Sequence, residues 1–175
     1  MKKTNRCVSE GLDITLKDAQ CNPVAAYNVA LLLESEHRAP STAQQYIYKA
    51  ACGGYTPAMV RMACFLMSGE YLQYLNQDTP VFISDARQAV CWLEKAARFN
   101  DQTAHYLLAR CCAEGICYNK SLPAARSHLA WVKFHPDFGN PYEDYEILAF
   151  GSVSQTMMNL VDEMTGGHKG RHNVI

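Results

Sequence analysis

Ala43-Gln-Gln-Tyr-Ile-Tyr-Lys-Ala-Ala51 and Ala89-Val-Cys-Trp-Leu-Glu-Lys-Ala-Ala97 place Ala, Lys, Ala and Ala at identical offsets within one 175-residue chain. A looser third copy runs Ala125-Arg-Ser-His-Leu-Ala-Trp-Val-Lys133. Each block is preceded by a segment with two alanines five residues apart: Ala25 and Ala30, Ala58 and Ala63, Ala104 and Ala109. In the second and third of these, a glycine follows six residues on, at Gly69 and Gly115. Self-similarity at this period marks an array of supersecondary units, each unable to bury its apolar face alone.

Small residues about one and a half turns apart let two helices approach closely, and larger apolar side chains at i+3 and i+4 fill the seam. Each unit therefore reads as a helical hairpin. The first helices are predicted over 23–34, 57–67 and 103–114, and each is apolar on more than one face, as stacking requires. The second helices are predicted over 42–51, 84–98 and 123–134, with Ser41, Ser84 and Ser121 as caps. Pro23 and Pro57 suit a first helical turn, where a missing N–H costs little. Gly53-Gly54 supplies the reversal into the second unit, and Asn100, in the corresponding place one unit later, tolerates the left-handed conformation.

Composition narrows the function classes. Hydrophobic residues are 49% and charged residues 19% of the chain, which fits one folded domain and excludes a disordered chain. Lys plus Arg number 16 against 17 Asp plus Glu, a formal charge of -1, so no overall field favours nucleic acid or an anionic membrane surface. Met1-Lys2-Lys3 opens as a secretory signal does, but Glu10, Asp13, Lys17 and Asp18 interrupt any apolar run, and the longest uncharged apolar stretch falls short of the ~20 residues of a spanning helix. A cytoplasmic location is expected. Eight cysteines (Cys7, Cys21, Cys52, Cys64, Cys91, Cys111, Cys112 and Cys117) are then expected as free thiols.

The repeated residues resemble the Sel-one-like repeat (SLR) family, relatives of tetratricopeptide repeats. The middle unit carries the pattern in Ala58, Met62, Ala63, Leu66, Gly69, Ala89, Trp92, Lys95, Ala96 and Ala97. The first unit carries it in Ala25, Val29, Ala30, Leu33, Ala43, Tyr46, Lys49, Ala50, Ala51 and Gly53, and the third, more loosely, in Ala104, Leu108, Ala109, Cys112, Gly115, Ala125 and His128. The resemblance implies an all-α fold, a short right-handed α-solenoid of about three antiparallel hairpins plus a C-terminal capping hairpin. Units are expected over 22–54, 55–100 and 101–134. They follow an N-terminal extension over 1–21, read as a helical cap, and precede degenerate capping helices over 135–165 and a flexible tail over 166–175. Secreted, cysteine-rich family members close each hairpin with a disulfide between cysteines about eight residues apart, a spacing this chain lacks. Residues 70–83 stretch the middle unit's turn, and Tyr71, Leu72, Tyr74, Leu75 and Phe82 make it too apolar for an idle loop, so it is expected to pack on the array or touch a partner.

Chemistry is scarce. Asp137-Phe138-Gly139 copies a kinase tripeptide without the glycine-rich or catalytic loops that would give it meaning. His105 and Cys112 are seven apart and share a helix face, yet no Cys-x-x-Cys spacing accompanies them, so no metal and no cofactor are expected. A cysteine-dependent hydrolase using one of His105, His128 or His135 is the enzymatic alternative, and it demands an exposed cysteine of low pKa beside a histidine.

The favoured function is a non-enzymatic interaction module holding a partner protein, an effector, toxin or signalling component, on its concave face. By analogy with tetratricopeptide arrays, that wall is formed by Tyr27 and Leu31 in the first unit, Val60, Cys64 and Met67 in the second, and Tyr106, Arg110 and Glu114 in the third. Tyr71 and Tyr74 in the insertion offer a second surface. Among bacterial relatives such modules serve as cytosolic adaptors or toxin-neutralising immunity proteins. Oligomeric state is not legible in the sequence.

Overall fold

The computed structural model describes residues 18–35, 40–76, 79–134 and 140–166. A helical turn over 18–21 leads through Asn22 into α1 (Pro23–Ser35), and the Asn22 carboxamide oxygen accepts from the Val24 N–H at 2.9 Å as an N-cap. The rest of the predicted N-terminal extension, and the tail from residue 167, lie outside the described residues. α2 (Pro40–Cys52) returns along α1. α3 (Thr56–Ser68) and α4 (Ala86–Ala97) form the second hairpin, and α5 (Gln102–Glu114) and α6 (Leu122–Leu129) the third. Between units α2 packs on α3 and α4 on α5, so the hairpins stack in order. The repeat fold is all-α, as the sequence pattern implies.

Alanines make the stacking possible. Ala58, Ala63, Ala89, Ala96, Ala104, Ala109 and Ala125 are fully buried, and each allows a backbone to approach where a longer side chain would hold it off. In the first unit the fully buried pair is Ala26 and Ala30, with Ala25 only half-buried, one position off the repeat's register. Between them Met62, Leu66, Leu93 and Leu108 are buried to within about a hundredth of their surface, each contributing roughly 1.5–3 kcal/mol of apolar burial. At Gly53 a β-carbon would strike the Pro23 ring, so the turn closes only with glycine there. Asn100 adopts φ 59°, the left-handed conformation expected of it.

Three readings need correction. Ser84 does not cap α4: Asp85 does, its carboxylate accepting from the Gln88 N–H at 2.9 Å, while the Ser84 hydroxyl donates to the Leu66 carbonyl. Ser41 lies inside α2, which starts earlier than predicted, whereas Ser121 caps α6. α6 is also shorter than its pattern, ending at Leu129; the Lys133 N–H turns away to the Gln102 side chain at 2.9 Å.

The largest departure is at the insertion. Instead of an irregular loop it forms an antiparallel hairpin, β1 (Tyr71–Asn76) against β2 (Thr79–Ile83), with Tyr71 opposite Ile83, Leu72 opposite Phe82 and an irregularity between Tyr74 and Asn76. The hairpin is anchored at its root, where the Glu70 carbonyl accepts from Gln44 Nε2 at 2.9 Å and half-buried Tyr71 and Ile83 pack on the core.

Beyond the third unit, α7 (Glu143–Phe150) and α8 (Gln155–Thr165) form the last hairpin described. α7 does not simply extend the stack. It runs back across α3 and α5, the inner helices of the second and third units, while α8 packs on α5.

Candidate interaction site

The inner wall predicted from helix geometry is built by α1, α3 and α5. Its eight predicted residues meet different fates. Leu31 is exposed, and Tyr27 is half-buried, its ring edge-to-face with Tyr55 at 5.2 Å. Met67 is half-buried and Glu114 exposed. Val60, Cys64, Tyr106 and Arg110, by contrast, are buried, with Tyr106 at 0% and Arg110 at 4% exposure. Those four are therefore not open to a partner, which corrects the expectation of a free concave groove. At Tyr106 and Arg110 the physical reason is α7, whose Glu146 bonds both, and α7 also packs on α3, the helix that carries Val60 and Cys64.

The contact is specific. The Tyr106 hydroxyl donates to Glu146 Oε2 at 3.1 Å and accepts from Asn140 Nδ2 at 2.7 Å, while its ring stacks on Tyr142 at 5.0 Å. Arg110 pairs through Nη1 with Glu146 Oε1 at 3.1 Å, donates to the Ser152 carbonyl, and lies 4.2 Å from the centre of the Phe150 ring. Nε of the same guanidinium reaches Glu114 at 3.3 Å. Glu146 is fully buried, and its third anchor is the Ser154 N–H, which donates to Oε1 at 3.3 Å. Burial raises the Glu146 pKa and the Arg110 charge opposes that rise. Burial likewise pushes the Tyr106 phenol up, reinforced by the Glu146 charge. Tyrosine and arginine four residues apart do form one gripping pair, and what they grip is the chain's own C-terminal hairpin.

What stays open lies beside this plug. A cavity of about 750 Å³ is bounded by the end of α3, the root of the β-hairpin, the start of α4, and the C-terminal ends of α5 and α7. Met67, Ala86, Ile116, Ile147 and Phe150 give it an apolar lining. Glu70 and Glu114 add carboxylates, and the Arg110 guanidinium at its wall is already paired with Glu114 and Glu146. Met67, Arg110 and Glu114 were anticipated from the sequence. Ile116, Ile147 and Phe150 were not, because Ile116 lies in the turn beyond α5 and nothing in a capping helix's periodicity says which of its outward residues, here Ile147 and Phe150, border a cleft. Tyr71 flanks the root of the hairpin; the Tyr74 side chain lies outside the described residues.

The hydrolase alternative demands an exposed cysteine of low pKa beside a histidine, and the buried cysteines are not of that kind; Cys7 and His135 lie outside the described residues. Burial pushes the Cys64 and Cys111 thiols up to about 12 and raises Cys112 as well, away from the thiolate. Among the described residues no histidine ring is hydrogen-bonded to a cysteine, and Cys21, Cys52, Cys64, Cys91, Cys111, Cys112 and Cys117 are all free thiols. No described helix is long and apolar enough to cross a membrane.

No protein-family model matches the chain, and no curated protein matches it. Solved structures do. A Sel1 repeat protein from Oxalobacter formigenes superposes over 69% of this chain with a TM-score of 0.55 and 26% identity. A protective antigen of uropathogenic Escherichia coli displaying an SLR fold superposes over 69% with a TM-score of 0.57 and 21% identity. The matched region is 46% of the first protein's length and 24% of the second's. With stacked alanine-seamed hairpins, glycine- or asparagine-closed turns and these two structural neighbours, the chain shares the helical repeat fold of the Sel1-like proteins it superposes on.

Proposed function

We propose that the chain is a non-enzymatic interaction module that holds a partner protein at the open cleft between the β-hairpin root and α7. The observation that supports this most directly is the cleft itself: an apolar basin of about 750 Å³, with Ile147 half exposed at its wall and two carboxylates beside it. Apolar area that the fold leaves uncovered in a concave setting is what interface cores are made of. Glu70 and Glu114 select the partner's chemistry, an aliphatic or aromatic anchor flanked by a lysine or arginine. In this reading the chain acts stoichiometrically in a bacterial cytoplasm, as an adaptor or as an immunity protein that neutralises a toxin. The proteins it resembles carry no part of that assignment beyond the fold.

The test is affinity capture with quantitative mass spectrometry on three proteins: wild type, Ile147→Asp with Glu70→Lys, and Lys49→Glu on the outer face. A partner that uses the cleft is retained by wild type and by Lys49→Glu. It is lost by the cleft variant with a drop of about 2 kcal/mol or more, roughly 30-fold in Kd. If every protein enriched by wild type is equally enriched by the cleft variant, the cleft is not the binding surface.

A further inference from the structure

The helix that closes the inner wall has a small apolar hold on it. α7 is eight residues long, about two turns, and so short a helix is marginal in water without a surface to lie on. Its main packing partners are α3 and α5, across the array. Of its residues only Glu146 and Ala149 are buried, with Leu148 and Phe150 half-buried, while Tyr145 and Ile147 are 40% and 50% exposed. Where the stacked helices bury leucine and methionine, α7 therefore buries a carboxylate and a methyl group, and its share of apolar stabilisation is low. A buried ion pair such as Arg110–Glu146 adds little net holding strength over apolar side chains of its size; what it imposes is which helix fits.

Elements with few buried apolar contacts open ahead of the whole fold. When α7 lifts, Tyr106 and Arg110 lose Tyr142, Glu146 and Phe150 together. The ring stack at 5.0 Å, the carboxylate contacts at 3.1 Å and the guanidinium-on-ring contact at 4.2 Å all run to this one helix and the residue at its N-terminus. The complement of the bared wall is thus written in α7: an aromatic at position i against Tyr106, a carboxylate at i+4 for Arg110 and the Tyr106 hydroxyl, and an aromatic at i+8 beside the guanidinium. These spacings follow one face of a helix. Lifting α7 also takes Ile147, Leu148, Ala149 and Phe150 out of the lining of the cleft.

We propose that the C-terminal hairpin is an autoinhibitory latch. α7 opens as a unit, and the wall beneath it then takes a helix of a partner protein that presents an aromatic, a carboxylate and an aromatic side chain at i, i+4 and i+8 in place of Tyr142, Glu146 and Phe150. The latch does not depend on the cleft having a partner. Where the cleft has one, and on that reading only, the two surfaces exclude each other: a ligand in the cleft holds α7 shut, and a helix on the wall dismantles the cleft.

Native-state hydrogen exchange on full-length wild type reads the opening without any substitution. The hydrogen-bonded α7 amides over 146–150 are expected to exchange at least about a hundredfold faster than the α5 amides over 106–112. The wall is read with a fluorescein-labelled peptide of residues 140–152, stapled as a helix through positions 143 and 147, which are exposed in the fold. It is expected to bind full-length Glu146→Lys, whose own α7 repels Arg110, at least tenfold tighter than it binds wild type. Glu146→Gln, which keeps the shape and loses the charge, replaces that variant if it does not fold. The peptide carrying Glu146→Ala is expected to bind at least tenfold more weakly than its parent. The proposal is overturned if α7 and α5 amides exchange at the same rate, if the stapled peptide binds variant and wild type alike, or if its Glu146→Ala form binds as tightly as the parent peptide.

Discussion

Arg110 and Glu146 form an ion pair with almost no water around it, and such pairs respond very differently to losing one partner and to losing both. Glu146→Gln leaves a buried guanidinium short of its counter-charge, and a loss of about 3 kcal/mol is expected from urea unfolding. Arg110→Met with Glu146→Leu is expected to recover at least half of it. A double variant no more stable than the single one would show that the pair's hydrogen bonds to Ser152 and Ser154, rather than its charges, hold the hairpin down. His105 on α5 and His128 on α6, with their Nδ1 atoms 3.1 Å apart, give a pH test whose sign follows from burial. Both rings titrate below the ordinary 6.5 in the folded protein, with desolvation the first cause in each. As pH falls through 6.5 the unfolded chain takes up protons that the folded one refuses, so their contribution is present above that value and is lost on acidification. The melting temperature is expected to fall more steeply between pH 7 and pH 5 in wild type than in His105→Asn with His128→Ala. Equal slopes would sink the assignment of the pair as neutral.

Helix ends carry testable energies of their own. Asp101 caps α5 by accepting from the Ala104 N–H at 2.9 Å, so Asp101→Ala is expected to cost about 1 kcal/mol in chemical denaturation. Replacing residues 71–83 with a short glycine turn is expected to leave the helical far-UV spectrum intact, because the described anchors of the β-hairpin lie at its root. A collapse of that spectrum would make the hairpin a structural element of the stack. The helices themselves were legible in the sequence, since alanine pairs, glycine closures and i+4 periodicity are local signals that stacking reinforces. The hairpin was not: Tyr71-Leu72-Gln73-Tyr74-Leu75-Asn76 shows no strict alternation, and Pro80 interrupts its mate. Nor was the face that Tyr106 and Arg110 share enough to identify their contact. Helix geometry tells which side of α5 they occupy, while the element lying there comes from forty residues downstream.

For the molecule as a whole, all the described cysteines are free. Addition of reductant is therefore expected to leave the melting temperature unchanged, whereas a bridge closing a loop of about 15 residues would contribute roughly 3 kcal/mol and shift it by several degrees. Truncation after residue 139 would strip Tyr106 of Asn140, Tyr142 and Glu146 and uncover the side of α3 on which α7 packs. The shortened chain is expected to bind a hydrophobic dye and to unfold less cooperatively; normal cooperativity would mean that the three units are self-sufficient. The tether between α6 and α7 has a further effect on recognition. A segment tied to its site by a short linker is present at an effective concentration in the millimolar range. Any outside helix directed at the Tyr106–Arg110 wall thus competes with a resident that never diffuses away, and its apparent affinity is multiplied by the small fraction of time that the wall stands empty. A ligand for the neighbouring cleft faces no such rival.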